Sequence, residues 1–219
     1  MSYDAVLDSA AGTAFLAVFA EGKKLFDAAA PMRGREAAKL PTWVESELAE
    51  HDLSLDDVSR WTVGAGPGSF TGLRLAAALV AGWCYGRKNS CRAVPGALGI
   101  AAAAGIAPGE TLGCLYDGRN HELIFVPVAA DAAGTLGIAG EPEILDAAAA
   151  EHRFAAPEAP RRFAALTAEL EALRKLVPGA PITPVAAPDP AALEASREPF
   201  DDDVTKLVYI RPAVYTETK

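Results

Sequence analysis

Apolar positions along this chain recur at two different periods, and the switches between them divide it into strands and helices. Residues 3–8, 14–19 and 24–28 are short runs of the strand kind, the last two joined at Glu21-Gly22, where glycine suits a tight turn. A helix is predicted over residues 35–51. Trp61 to Gly66 begins apolar and carries the β-branched Thr62 and Val63, as a buried strand does. Leu73 to Tyr85 is a long apolar run of good helix formers, so a helix is predicted over residues 71–86. A short strand at residues 92–94 and an alanine-rich helix ending near Gly105 complete the first half.

Ala107-Pro108-Gly109 is the natural break, giving an expected N-terminal lobe of residues 1–106 and a smaller, more irregular C-terminal lobe of residues 107–219. Beyond it, residues 111–116 and 122–128 read as strands around Asp117-Gly118, a good turn pair. Leu136 to Ile138 adds a third strand. Residues 161–176 have helix-forming composition, with Leu166, Leu170, Leu173 and Leu176 near one face. Eight prolines between Pro142 and Pro190 break this half into short pieces. Both halves thus open with antiparallel strands and continue into helices, which predicts an α/β protein of two related layers around mixed sheets.

With 219 residues and 51% hydrophobic composition, the chain has ample material for a core. A formal net charge of −9 argues against an autonomous nucleic-acid binder, so any RNA would be held by a partner. Three cysteines without CxxC spacing, Cys84, Cys91 and Cys114, fit a reducing cytoplasm. No basic region precedes an apolar stretch at the N-terminus, so no secretion signal is expected. The 71–86 helix carries Arg74 as its one charge and is too short to span a bilayer comfortably. A helix apolar all round needs cover on two sides, and Ala76, Ala77, Ala81 and Gly82 permit close approach of another helix, from this chain or from a partner.

The chemistry concentrates at Gly66-Pro67-Gly68-Ser69-Phe70-Thr71-Gly72-Leu73-Arg74, where the strand hands over to that helix. Such a junction points unpaired amides and a helix dipole at its loop and can cradle an anion. Ser69 or Thr71 is the expected N-cap, and the three glycines allow close backbone approach. Neither a Walker A loop nor a GxGxxG fingerprint is present, and Phe70-Thr71 after Ser69 breaks the GxSxG nucleophile elbow. Arg74 in the first turn opposes the dipole by roughly 0.3–1 kcal/mol. It therefore calls for a structural acidic or carbonyl partner, or an anion from a ligand or another protein.

The GPGSFTGLR stretch, followed by a helix of small residues, resembles the hallmark of the TsaB (YeaZ-like, glycoprotease-like) family of bacterial tRNA threonylcarbamoyladenosine biosynthesis proteins. DAVLDSA and AFLAVF, LPTWVESELAEHDLSLDDVSRWTVGAGPGS, CLYDGRNHELIFVPV and LVYIRP resemble further family stretches in the expected order. The resemblance implies two lobes of the actin-like ATPase (ribonuclease H-like) superfamily, mixed sheets with flanking helices. It implies a noncatalytic scaffold or activating subunit of the adenosine 37 modification complex, with no catalytic residue and no metal of its own. A TsaD-like transferase and a TsaE-like ATPase are the implied partners, with a homodimer when alone, tRNA contacted only indirectly, no membrane, and a cytoplasmic location. No cofactor is implied for the chain by itself, and a nucleotide at the partner interface is left open.

In that superfamily an early Asp- and Gly/Thr-containing loop contacts phosphate or metal. Asp8 to Thr13 occupies its place, either as a vestige of that loop or with Asp8 as a turn-capping carboxylate. The implied partner surface lies on the 35–51 and 71–86 helices, at Arg35, Leu40, Val44, Leu48, Leu73, Ala77 and Val80. Arg35 stands where relatives carry histidine, and the region from Glu194 to Lys206 is shorter than the family's closing helix. The transferase's helical histidine pair has no counterpart, since His51, His121 and His152 are isolated. The alternative is an actin-like small-molecule kinase or ATPase with phosphates at Asp8 and the Gly66–Thr71 loop; a metal-dependent peptidase is a further rival.

Overall fold

Two five-strand pathways with the same order of connections build the molecule. The computed structural model describes residues 2–32 and 34–208, so Tyr209 to Pro212 of the LVYIRP stretch lie outside the described residues. The first half contributes β1 (Tyr3–Asp8), β2 (Thr13–Ala20), β3 (Lys23–Pro31), α1 (Leu40–Glu50), β4 (Val58–Gly64), α2 (Phe70–Cys84), β5 (Ser90–Val94) and α3 (Ala97–Ala103). Its sheet runs β3-β2-β1-β4-β5, antiparallel through the hairpins and parallel from β1 to β5. The second half contributes β6 (Thr111–Arg119), β7 (Glu122–Ala130), β8 (Leu136–Ile138), β9 (Glu143–Asp146), α4 (Ala147–Ala155), β10 (Phe163–Leu166), α5 (Leu170–Leu176), β11 (Ile182–Val185) and α6 (Pro190–Glu194). Its sheet runs β11-β10-β6-β7-β8, with β9 also on β7, so β8 and β9 share the edge that β3 fills alone in the first sheet.

This repeated pattern is the actin-like, ribonuclease H-like arrangement of mixed sheets with flanking helices. Strand alternation sends each sheet's apolar residues both ways. Leu7, Leu16, Val63 and Trp61 pack against α1 and α2, while Val6, Ala17 and Phe19 face the second sheet. There they meet Leu112, Cys114, Tyr116, Val126 and Val128 across α3 and α6. Leu115, Leu123 and Phe125 point the other way, onto α4 and α5. Gly99 of α3 lies so close to α6 that a Cβ there would stand 2.8 Å from Leu193.

Three local readings are corrected. The hairpin between β6 and β7 turns at Asn120-His121, both at positive φ, with Arg119 paired to Glu122. Asp117-Gly118 stays in β6, at a register shift, because Gly118 lies against the Glu122 carbonyl where a side chain would not fit. Residues 161–176 split into β10, a 3-10 turn and α5; Phe163-Ala-Ala-Leu166 is buried throughout as a parallel strand between β6 and β11, a role its alanines conceal. The predicted 35–51 helix is a 3-10 segment over Gly34–Lys39 followed by α1, which starts at Leu40 with Pro41 in its first turn. Among the described residues no helix is long and apolar enough to cross a membrane.

The residues after α6 return to the first sheet, held by Arg92 of β5. This side chain is 3% exposed. Its Nη1 donates to the carbonyls of Ser196 (2.8 Å) and Glu198 (2.7 Å), its Nη2 to those of Leu193 (3.1 Å) and Glu194, and its Nε to Thr62 Oγ1 (3.0 Å). The guanidinium thus closes the C-terminal end of α6, where cations are favoured, and the Phe200 ring lies 4.1 Å from it. Asp202 then exchanges hydrogen bonds with the Cys91 backbone, and Val204 enters the first sheet's outer core. Arg92→Ala strands four carbonyls at once, that of Leu193 buried and the other three partly buried, and is expected to cost at least about 3 kcal/mol in chemical denaturation. Arg60→Ala, which loses a half-exposed pair with Asp4, is expected to cost about 1 kcal/mol or less; equal losses would contradict the role given to Arg92.

Candidate functional site

Strand β1 delivers Asp8 to the seam between the two lobes, and the glycine-rich turn after β4 closes over it. Asp8 is 7% exposed, and its Oδ1 accepts the Ala10 N–H at 2.7 Å, the turn-capping role. Gly64 and Gly96 make room for the carboxyl: a Cβ on Gly64 would fall 2.3 Å from its Cγ, and one on Gly96 would fall 3.3 Å from Oδ2. Burial pushes the Asp8 carboxyl above the ordinary aspartate range, offset in part by the Ala10 bond.

The motif loop is bonded to the loop after β1. Ser69 N–H donates to the Ala10 carbonyl at 2.6 Å, and Ser9 Oγ donates to the Gly72 carbonyl at 2.7 Å. Cβ atoms on Gly68 and Gly72 would stand 2.5 Å from Ala10 O and 2.1 Å from Ser9 O respectively. Those two glycines therefore serve backbone-to-backbone approach inside the chain. Gly66 has φ +88°, and its carbonyl accepts from Gly96 N–H at 2.9 Å. Ser69 is the N-cap of α2, its Oγ accepting from Gly72 N–H at 3.4 Å. An anion seeking amides here finds those of Ser69 and Gly72 already committed.

Across the seam, β6 and the segment after β10 supply Tyr116, Asp117 and Glu169. Glu169 Oε2 accepts the Asp117 N–H at 3.0 Å, and burial raises its carboxyl as well. Between the two sides lies a cleft of about 830 Å³, bordered by Thr13, by Pro67 to Leu73, and by Tyr116 to Arg119. Tyr116 and Glu169 line this cleft beside the committed amides of Ser69 and Gly72. Tyr116 and Glu169 escaped sequence reasoning because one looked like an ordinary strand residue and the other lay inside an expected helix.

On α2, Arg74 is exposed and its guanidinium carbon lies 3.6 Å from the centroid of the Phe70 ring, one turn back. An aromatic face is thus among its contacts. Leu40, Val44, Leu48, Leu73, Ala77 and Val80 are all at most 7% exposed and lie in the core of this chain. A partner cannot reach them, and this corrects their assignment to the partner surface; Arg35 alone of that set is exposed. Helical spacing along α1 and α2 picked out the inward face.

His51 ends α1 and stacks on Phe26 at 3.7 Å, His121 forms the β6–β7 turn, and His152 lies in the last turn of α4. Among the described residues no group of three or more His, Cys, Asp and Glu side chains is arranged to hold a metal ion. Burial pushes the Cys84 thiol up to about 12, which suppresses its thiolate.

Two substitutions test this geometry. Gly72→Ala should gain helix propensity yet lose about 1–3 kcal/mol through the collision with Ser9; a stabilised variant would refute the packing. Because the folded-state value of Asp8 is raised, its ionisation opposes folding: stability is full below the ordinary aspartate value and falls as pH rises through the raised one. Thermal melts should therefore show Asp8→Asn more stable than the parent at neutral pH, the gain vanishing as pH falls below the ordinary aspartate value.

A protein-family model described as "TsaD: tRNA N6-adenosine threonylcarbamoyltransferase" matches residues 35–175. Among solved structures, a Pseudomonas aeruginosa protein described as similar to peptidase YEAZ superimposes with a TM-score of 0.70 at 22% identity, covering 89% of each chain. YeaZ from Pseudomonas aeruginosa gives 0.67 at 22% identity, covering 89% of this chain and 90% of that one. The ethanolamine utilization protein EutJ from Carboxydothermus hydrogenoformans gives 0.53 at 13% identity, covering 87% and 88%. At these identities the likeness is one of fold. No curated protein matches the sequence.

Proposed function

Because the chain belongs to the TsaD family, that of the tRNA N6-adenosine threonylcarbamoyltransferases, we propose that it is a TsaB-like scaffold and activating subunit that docks on a TsaD-type transferase. The observation that carries this reading is the outward face of α2. Phe70, Arg74, Ala78, Ala81 and Tyr85 follow one another at intervals of four, four, three and four residues, forming one exposed stripe. Tyr85 is 89% exposed and Phe70 37%. Between them Ala78, Ala81 and Gly82 keep the surface low, and a Cβ on Gly82 would meet nothing within 4 Å.

A seam of small residues flanked by aromatics suits a second helix lying about 8–10 Å away. Its buried opposite face, Leu73, Ala76, Ala77 and Val80, fixes α2 to the first sheet, so the seam is presented on a rigid element. A helix of the transferase is the occupant in the working complex. A second copy of this chain takes the same surface when the transferase is absent, so homodimer and heterodimer exclude each other. With a net charge of −9 the chain leaves tRNA to the transferase, and a TsaE-like ATPase joins the assembly in the cytoplasm.

The test mixes the purified chain with the TsaD-type transferase of the same organism, followed by size-exclusion chromatography with light scattering and an assay of threonylcarbamoyl transfer to tRNA. A stable complex is expected, with transfer that requires both proteins. Ala81→Arg, placed in the seam, should weaken the complex by at least about tenfold, or about 1.4 kcal/mol, and leave the melting temperature of the chain unchanged. Transfer that proceeds equally without the chain, or ATP hydrolysis by the chain alone, would overturn the proposal.

A further inference from the structure

We draw no further inference here: the strongest candidate, the small cavity between the two lobes that Asp8 and Glu169 line, belongs to the site already described, and its two carboxyls are joined by no second observation that points to a ligand.

Discussion

The approach of two backbones, Ser9-Ala10 after β1 and Gly66 to Gly72 after β4, is the constraint on which the rest of the molecule depends. β1 and β4 are adjacent and parallel, so the loops leaving their C-terminal ends emerge side by side. For the chain to enter α2 at once, its turn must pass within bonding distance of the first loop. Gly68 and Gly72 permit this because a Cβ at either would penetrate Ala10 or Ser9. The hydrogen bonds from Ser69 to Ala10 and from Ser9 to Gly72 then lock the contact. Through it the starting point and direction of α2 are set, and with them the exposed seam and one wall of the cleft. A loop that reads as a ligand cradle is thus a structural clasp whose consequences are felt at a surface along the helix.

A second clasp works from β5, the edge strand of the same sheet. Arg92 gathers four carbonyls at the end of α6, and Phe200 lies against both Arg92 and Arg60. The charge is tolerated in a buried place because nearly every donor it has is spoken for. The effect is topological: the chain finishes its second lobe and is drawn back over the first, where Val208 N–H bonds to the Ala65 carbonyl just before the motif. The two halves therefore share a core between their sheets and also a strap from the second half across the first.

Much of this was legible in the sequence because the period of the apolar residues survived burial. β1 and β8 fall where their patterns put them, and α2 differs from its predicted span by a residue or two. What stayed hidden shares a cause. Phe163 to Leu166 is buried on both faces, so it has no alternation to betray a strand, and alanine favours a helix in isolation. On α2 the opposite limit applies: an apolar helix with small residues on several sides gives no signal of which face is inward. Leu40, Val44 and Leu48 fitted a partner surface as well as a core until the sheet beneath them was known. Arg92 was invisible because its role rests on carbonyls 101 to 106 residues away along the chain.

The charge pattern and the apolar seam bear on each other. A chain with net charge −9 repels its own kind, and that repulsion keeps it dispersed at the concentrations at which apolar surfaces find one another. A self-associating surface on such a molecule must overcome the repulsion with contact area, whereas a more basic partner, of the sort that holds tRNA, would be attracted before contact is made. On the proposed docking, the same seam would favour the foreign helix over a second copy without any difference in shape. That preference is strongest at low ionic strength and fades as salt screens the charges, because the Debye length falls below the size of the interface. On that proposal the selection of partner is a property of the whole surface, and the seam on α2 supplies only the place where it is exercised.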